Sequence, residues 1–376
     1  MRRPWQTSTT LFATAADTST DPLAITGLRG WRLREPVSGR RYTVVRLETR
    51  GGLTGYGEGG PARTADILDA RAALGGRTAN ETEFVRRRLT ALPPMEAAVS
   101  NAMLDILGKS AKIPVYQFLG GPTRYKARAL ATLEGDDEAA LGEPLQRAMQ
   151  RGFKAFTLPI AARNPMTTLQ AHVDNVRKRV ERVRSMAGPN TDFVLDGAGS
   201  QKPGEAAAIA TALEKVHLLW FDEPTSVLTS DALAKITDES VMPIGLGRHV
   251  HDVAVFQNLL RWGCIDLLRP SLGLNSAPKI RRMAAVAETH YVDIAPYHDG
   301  GPIGTVAGIH LAASLPNFFI QQVPQPVAAR DRDMRMELTS GDRESAQDGF
   351  TGLLNRPGLG IEVDEKALGK YSEETI

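Results

Sequence analysis

The chain has 376 residues, of which 45 are basic and 43 acidic, and its formal net charge is +2. This balance gives no field that would draw the protein to nucleic acid or to an anionic membrane, so we expect small-molecule chemistry. The single cysteine, Cys264, excludes an internal disulfide, and no apolar run approaches the roughly 20 residues of a membrane span. These features are typical of a cytoplasmic protein with a large and a smaller domain.

The first predicted module mixes strands and helices. Residues 1–24 are rich in Thr and Ala and predict a flexible tail. Two β-rich segments follow, AITGLRGWRL and RYTVVRLETRGGLTGYGEG, and a Gly-Gly turn divides the second. Helical spacing of apolar residues then appears in ADILDARAAL, ETEFVRRRLTAL and MEAAVSNAMLDILGKSA, with Pro93 and Pro94 opening the last helix. Residues 25–127 are therefore predicted to form an α+β domain.

From Ala129 onward, short apolar runs alternate with helical segments. The runs are ALATLEG, AFTLPI, DFVLDGA, LLWFDEP, PIGLGRH, CIDLLRPS, VDIAPYHD and FFIQQV. Because they are almost continuously apolar and are separated by helices, they predict a parallel (β/α)8 barrel over residues 128–323, in the α/β class. In such a barrel the chemistry lies at the carboxyl ends of the strands.

Charged side chains follow three neighbouring predicted strands. Asp196 and Asp222 could together hold a divalent cation, because hard cations prefer several oxygen ligands. Each could instead cap a helix or pair with a cationic side chain. Only one of Asp222 and Glu223 can face the barrel centre, since neighbouring strand residues point to opposite faces. Arg248, after the next strand, could pair with either aspartate or receive a substrate carboxylate.

A histidine in APYHDGGPIGT, His298, is the strand-end group whose titration range suits proton transfer near neutrality. Because a Gly-Gly loop follows it at a strand tip, we expect its ring to face the pocket. It is therefore the candidate acid or base of the site.

These segments resemble the mandelate racemase and muconate lactonizing branch of the enolase superfamily. LTGYGEG is similar to the N-terminal turn of that family, AVSNAMLDILGKSAKIPVYQFLGG to the helix that leads into its barrel, and GPIGTVAGIHLAASLPNFFIQQ to its seventh and eighth barrel units. RPGLGIEVDEKAL resembles its C-terminal segment, so residues 324–376 are expected to pack back on the capping domain. The resemblance implies a modified TIM-type barrel with an α+β capping domain, and a homo-oligomer.

The resemblance also implies an activity on carboxylic acids. A magnesium ion held by three strand-end carboxylates stabilises an enolate, which forms when a base removes the proton next to a carboxylate. Asp196 and Asp222 match the first two ligands, but Arg248 replaces the third. Thr157 and Pro159 replace the Lys-x-Lys motif that supplies a base.

Two further family positions differ. His298 matches the family histidine, but its aspartate partner is replaced within Arg269–Ser271, so the group that would fix its tautomer is missing. Gln322 replaces the glutamate that ends the eighth strand. The loop Leu33–Arg41 resembles the segment that closes over the pocket, and its arginines could meet an anionic ligand.

These replacements predict a site without magnesium. Two carboxylates and one arginine carry the same net charge as three carboxylates and a divalent cation, so Arg248 can stand in for the ion by tying Asp196 to Asp222. A second cation beside Arg248 would be repelled by roughly 4 kcal/mol at 4 Å.

Two functions stay open. In the first, the standard enolate chemistry is lost and a pocket for a small carboxylic acid is left, contacted by Arg248, Thr157, Arg269 and Gln322. In the alternative, His298 and Arg248 support a metal-independent or weakly metal-dependent lyase or isomerase, dehydratase-like, acting on an acid sugar or a related carboxylate. Racemisation is not expected, because it needs a base on each face of the reacting carbon.

Overall fold

The computed structural model describes residues 20–135 and 138–376. The tail prediction falls mainly on residues 1–19, which lie outside the described residues, whereas Ala24 already pairs with Thr78 in an isolated bridge. The strands are β1 (Ile25–Arg34), β2 (Arg41–Thr49), β3 (Thr54–Gly59), β4 (Lys126–Ala131), β5 (Ala155–Pro159), β6 (Asp192–Asp196), β7 (Phe221–Asp222), β8 (Ile244–Leu246), β9 (Leu267–Leu268), β10 (Asp293–Ile294), β11 (Gln321–Val323), β12 (Phe350–Gly352) and β13 (Ser372–Thr375).

The helices fill the intervals between the strands. They are α1 (Thr64–Ala73), α2 (Thr82–Arg88), α3 (Pro93–Ala111), α4 (Val115–Phe118), α5 (Glu138–Gln150), α6 (Leu169–Ala187), α7 (Pro203–Leu213), α8 (Ser230–Thr237), α9 (Val253–Trp262), α10 (Ala277–Glu288), α11 (Pro302–Ala312), α12 (Ala329–Leu338) and α13 (Glu365–Tyr371). Among residues 20–135 and 138–376, no helix combines the length and the apolar character that crossing a bilayer requires.

The capping domain is an antiparallel sheet covered by helix α3. Its strand order is β13-β1-β2-β3. A Cβ at Gly57 would lie 2.0 Å from the Ala98 carbonyl oxygen, and one at Gly59 would lie 1.9 Å from that of Pro94. Only glycine therefore lets α3 lie this close to β3. Because successive residues of a strand point to opposite faces, Glu58 lies on the other side of β3, where it contacts the backbone of the barrel domain.

The predicted α/β barrel is confirmed, and each of the apolar runs supplies one strand. Its parallel strands have the order β10-β9-β8-β7-β6-β5-β4-β11. A parallel bridge between Ile294 and Phe318 connects β10 to the run that enters β11, which closes the ring. The interior is apolar, and its buried residues are Leu130, Ala155, Val194, Trp220, Leu267, Ala295 and Ile320.

The C-terminal segment contacts both domains. Strand β13 joins the capping sheet beside β1, while β12 pairs antiparallel with barrel strand β4. Helix α12, which precedes β12 in the sequence, holds the loop that follows β1, because Asp331 accepts hydrogen bonds from the backbone N–H groups of Val37 and Ser38, each at 2.8 Å. The segment therefore links the cap, its loop and the barrel wall.

Candidate functional site

Four adjacent strands bring the predicted charged residues together. Asp196 ends β6 and Asp222 ends β7, and the two are paired in the register of these strands. Arg248 lies two residues beyond β8, and Arg269 directly follows β9. Because the strands are parallel, their carboxyl ends meet at one edge of the barrel. The side chains therefore share one end of the barrel.

Arg248 joins the two aspartates through a single nitrogen. Its Nη2 donates to Asp196 Oδ1 at 2.9 Å and also to Asp222 Oδ2. Its guanidinium carbon lies 4.3 Å from the centroid of the Tyr297 ring, within the range of a cation–π contact. The side chain of Arg248 is 7% exposed, so its ion pairs are largely shielded from solvent.

Asp222 is saturated with hydrogen-bond donors. Its Oδ1 accepts from Trp220 Nε1 at 2.9 Å and from Arg269 Nε at 2.8 Å. Its Oδ2 accepts from Arg269 Nη2 at 3.2 Å and from Arg248 Nη2. A carboxylate offers about four lone-pair sites, so those of Asp222 are all in use. Burial acts to raise the pKa of Asp222, but Arg269 and Arg248 outweigh it and hold that pKa below its usual range.

The net charge of this cluster differs from the sequence-based count. That count gave two carboxylates and one arginine, but Arg269 also joins Asp222, so the aspartates face two guanidinium groups. The four side chains are therefore neutral together. Burial raises the pKa of Asp196 against the opposing charge of Arg248, which shows that desolvation is the main cost of placing this aspartate here.

Glu223 supports Arg248 through the backbone. Its Oε1 accepts from the N–H groups of Gly247 and Arg248, each at 2.7 Å. Glu223 has a left-handed backbone with φ of 43°, a strained conformation for a non-glycine residue. Burial and the neighbouring charge of Asp222 raise the pKa of Glu223 to about 7. Asp222 is thus the member of the pair that meets the arginines, while Glu223 fixes the turn that carries Arg248.

The residues present do not fit the magnesium ion that the family implies. Magnesium needs several oxygen ligands in near-octahedral geometry, yet the lone pairs of Asp222 are taken and Arg248 already binds both aspartates. In the described parts of the chain, no group of three or more His, Cys, Asp or Glu side chains could hold a metal. A cation could bind to Asp196 and Asp222 only after a guanidinium had moved away.

His298 has a defined tautomer despite the missing aspartate. Its Nε2 lies 2.8 Å from the Gly301 carbonyl oxygen, so Nε2 carries the hydrogen and Nδ1 keeps its lone pair. The expectation that the lost aspartate leaves the tautomer unset is therefore wrong. Nδ1 is buried and meets no partner among residues 20–135 and 138–376. Burial lowers the pKa of His298 to about 4, so the ring is neutral at pH 7.

A glutamate from the capping domain lies beside the histidine. Glu58 is buried and accepts hydrogen bonds from the N–H groups of Gly301 and Gly304, the latter at 3.0 Å. A Cβ at Gly304 would lie 2.4 Å from His298 Cε1 and 2.7 Å from Glu58 Oε1, so both side chains crowd against this glycine. Burial raises the pKa of Glu58 to about 7. Glu58 was not predicted from the sequence. The alternating glycines of GYGEG were the available signal, because they indicate a strand that carries side chains on one face only.

The predicted substrate-binding residues other than Arg248 make structural contacts. Thr157 is buried, and its Oγ1 accepts from the backbone N–H of Leu133 at 3.0 Å. Gln322 accepts from Arg269 Nη2 at 2.6 Å and donates to the carbonyl oxygen of His298 at 2.9 Å. Each guanidinium nitrogen of Arg269 donates to an acceptor within the protein. Arg269 and Gln322 are therefore engaged around Asp222 and His298, and Thr157 binds the backbone after β4, which leaves Arg248 as the candidate ligand contact.

The arginines of the predicted closing loop have partners in the chain. Arg34 and Arg41 both face Glu373, at 3.6 and 3.1 Å, and Arg40 binds Glu134 beyond strand β4. These pairs position the loop against the barrel and the last strand. They leave Arg248 as the better candidate for an anionic ligand.

An α+β cap over a parallel barrel, with the polar groups at the strand ends, defines the architecture of the enolase superfamily. The sequence matches the family described as "Mandelate racemase / muconate lactonizing enzyme, N-terminal domain" over residues 31–120. It matches "Enolase C-terminal domain-like" over residues 140–367. The chain belongs to the mandelate racemase and muconate lactonizing branch of this superfamily.

Relatives with named activities are distant but cover most of the chain. A D-galactonate dehydratase of Verminephrobacter eiseniae is 27% identical over 362 residues, which are 89% of this chain and 92% of that protein. A D-xylonate dehydratase of Haloferax volcanii is 25% identical, with coverage of 89% and 86%. A mandelate racemase/muconate lactonizing enzyme-like protein from Roseovarius sp. TM1035 superposes with a TM-score of 0.84 at 24% identity, over 93% of this chain and 96% of that one. This last likeness concerns the fold alone.

Proposed function

We propose that the barrel mouth binds a small hydroxy acid of the aldonate type through Arg248, in a site that works without a divalent cation. The observation that carries this proposal is the single-nitrogen bridge from Arg248 to Asp196 and Asp222. The bridge occupies the place of a metal ion and still leaves part of the guanidinium for a ligand.

The remaining donors of Arg248 suit a carboxylate. Its side-chain hydrogen bonds to the described residues all use Nη2. A guanidinium presents five N–H donors, so the two of Nη1 are left for an incoming anion, whereas Nε is buried. Charge-assisted hydrogen bonds of this kind are roughly twice as strong as neutral ones.

The relatives support the class of ligand. Two of them are named D-galactonate dehydratase and D-xylonate dehydratase, and both names refer to polyhydroxy monocarboxylates. A ligand of this class brings one carboxylate for Arg248 and several hydroxyl groups. A neutral cluster of two aspartates and two arginines can accept such a monoanion without adding to an existing excess of negative charge.

Arg248→Lys should weaken the binding of D-galactonate or D-xylonate at least tenfold in EDTA, because lysine keeps the charge but loses the planar fork. Isothermal titration calorimetry on the full chain measures this. Arg282→Lys is the matched control, since Arg282 is an exposed arginine on α10 whose partner is Glu83. Equal affinities for Arg248→Lys and the unchanged protein, or binding that requires added Mn²⁺, would contradict the proposal.

A dehydratase-like lyase is the second candidate, and the tautomer of His298 favours it. The free Nδ1 lone pair could take the C2 proton of an aldonate while Arg248 stabilises the charge that develops on the carboxylate. The imidazolium could then return that proton to the departing C3 hydroxyl, so that water leaves and an enol forms. One base suffices for this elimination, whereas racemisation needs two.

His298→Asn should abolish exchange of the C2 hydrogen of these acids with D₂O, measured by NMR in EDTA. Because burial lowers the pKa of His298 to about 4, the ring is in its basic form above that pH. The exchange rate should therefore rise through pH 4 and level off near pH 5, rather than rise through the ordinary histidine range. His249→Asn, at an exposed position, is the control. Binding with neither exchange at C2 nor formation of a 2-keto-3-deoxy acid at any pH would exclude the lyase and leave the binding function.

A further inference from the structure

A second cationic site lies where the C-terminal segment meets the barrel, outside the cluster of Asp196, Asp222 and Arg248. A small cavity of about 20 Å³ is located here, between the residues that follow β11 and the end of α12. Its charged lining consists of Arg151, Arg332, Arg335, Arg343, Asp342 and Glu344.

The acidic groups of this cavity do not neutralise the arginines. Asp342 accepts from Arg151 at 3.0 Å, and Glu344 binds Arg335 through both of its oxygens, at 2.6 Å each. Arg332 instead donates to neutral carbonyl oxygens, including that of Pro326 at 3.0 Å. The lining has four arginines against two acids, and buried Glu35 behind it also pairs with Arg335, so one positive charge is left over.

Two buried donors of the lining are unused. Within the described part of the chain, Nε of Arg151 and Nε of Arg343 are both buried and have no hydrogen-bond partner. A buried donor without an acceptor costs about 1–3 kcal/mol. Arg151 and Arg335 have acidic partners, whereas no acid among the described residues pairs with Arg343 or Arg332.

Burial lowers the pKa of Arg332, and the nearby positive charges of Arg147 and Arg151 lower it further, while Asp333 and Glu143 act in the opposite direction. The three arginines are therefore close enough to repel one another, and a bound anion would reduce that repulsion.

We propose that this cavity binds a monovalent anion of the size of chloride, between Arg151 and Arg343. About 10–15 Å³ is needed to hold one water-sized particle, so a cavity of about 20 Å³ accepts a monatomic anion more readily than a tetrahedral oxyanion. The anion offsets this excess charge and supplies the counter-charge that Arg343 lacks among the described residues. It also fastens the segment that carries Arg335, which binds Glu35 at the start of the closing loop.

The proposal predicts a saturable effect of chloride on thermal stability. Replacing sodium methanesulfonate stepwise by sodium chloride at constant ionic strength should raise Tm by on the order of 2 °C. Scanning calorimetry of the full chain measures this shift. Arg343→Met should remove the chloride-dependent increment even if its Tm in methanesulfonate is lower. Arg356→Met, at an exposed arginine of the same segment, should keep the increment.

A crystal soaked in bromide provides the direct readout, with an anomalous peak expected between Arg151 and Arg343. A Tm that does not respond to chloride, or an equal response in Arg343→Met, would overturn the proposal. A larger saturable shift with sulfate would show an oxyanion site and refute the assignment of a chloride-sized ligand. None of these results bears on aldonate binding at Arg248, so the two proposals fail separately.

Discussion

Arg248→Glu is expected to lower the free energy of unfolding by about 4 kcal/mol in EDTA and to make stability depend on a divalent cation. The change removes the guanidinium that joins Asp196 to Asp222. It leaves three carboxylates at adjacent strand ends, where their mutual repulsion is only weakly screened. Added Mn²⁺ should recover much of the loss, because it finds an oxygen-rich site that the unchanged protein does not offer.

Urea unfolding with and without Mn²⁺ measures both effects. Arg248→Gln is the matched variant, because it also removes the positive charge but adds no carboxylate. It should be destabilised without recovery by Mn²⁺. If Mn²⁺ stabilises the unchanged protein as much as it stabilises Arg248→Glu, the arginine does not replace the ion and the metal-free site is wrong.

The fold could be predicted because each element has a local signature. The run LLWFDEP shows this well: strand β7 itself comprises only Phe221 and Asp222, yet the whole run is apolar up to its charged tip. Pro93 and Pro94 likewise mark the start of α3. Such signals depend only on neighbours in the sequence, so they can be recognised without knowledge of the tertiary structure.

The site could be predicted only in part, because several contacts join distant segments. Glu58 binds Gly301 across 243 residues of sequence, and nothing near either residue indicates the other. The sequence predicts a pocket contact for Arg269, but its pairing with Asp222 depends on its side chain turning inward, which a strand of two residues does not fix. This pairing is the reason why the charge of the cluster was miscounted.

Arg335→Met is expected to destabilise the protein by about 4 kcal/mol and to loosen the closing loop. Arg335 is buried and binds Glu35 at the start of that loop and Glu344 in the C-terminal segment. Burial acts to raise the pKa of Glu344, but Arg335 outweighs it and keeps that pKa below its usual range. Without the guanidinium, two buried carboxylates lose their cation together, which is more costly than the loss of any exposed ion pair.

Lys370→Met is the matched control in the same segment. Its partner is Glu337 and both side chains are about half exposed, so the change should cost less than about 1 kcal/mol. Urea unfolding compares the two variants, and tryptic cleavage after Arg40 or Arg41 reports the loop directly. Cleavage there should accelerate in Arg335→Met and stay unchanged in Lys370→Met.

A double variant separates loss of charge from loss of packing. Arg335→Met combined with Glu35→Gln removes one of the two carboxylates that lose Arg335, and this one keeps only Arg40 at 3.6 Å as a cationic partner. The double variant should therefore be more stable than Arg335→Met alone, although each single change is destabilising. If the losses of unfolding free energy in the two single variants simply add in the double variant, the buried charges are not coupled and packing alone holds the segment in place. If the loop is cleaved no faster in Arg335→Met, the hydrogen bonds from Val37 and Ser38 to Asp331 suffice to keep it closed.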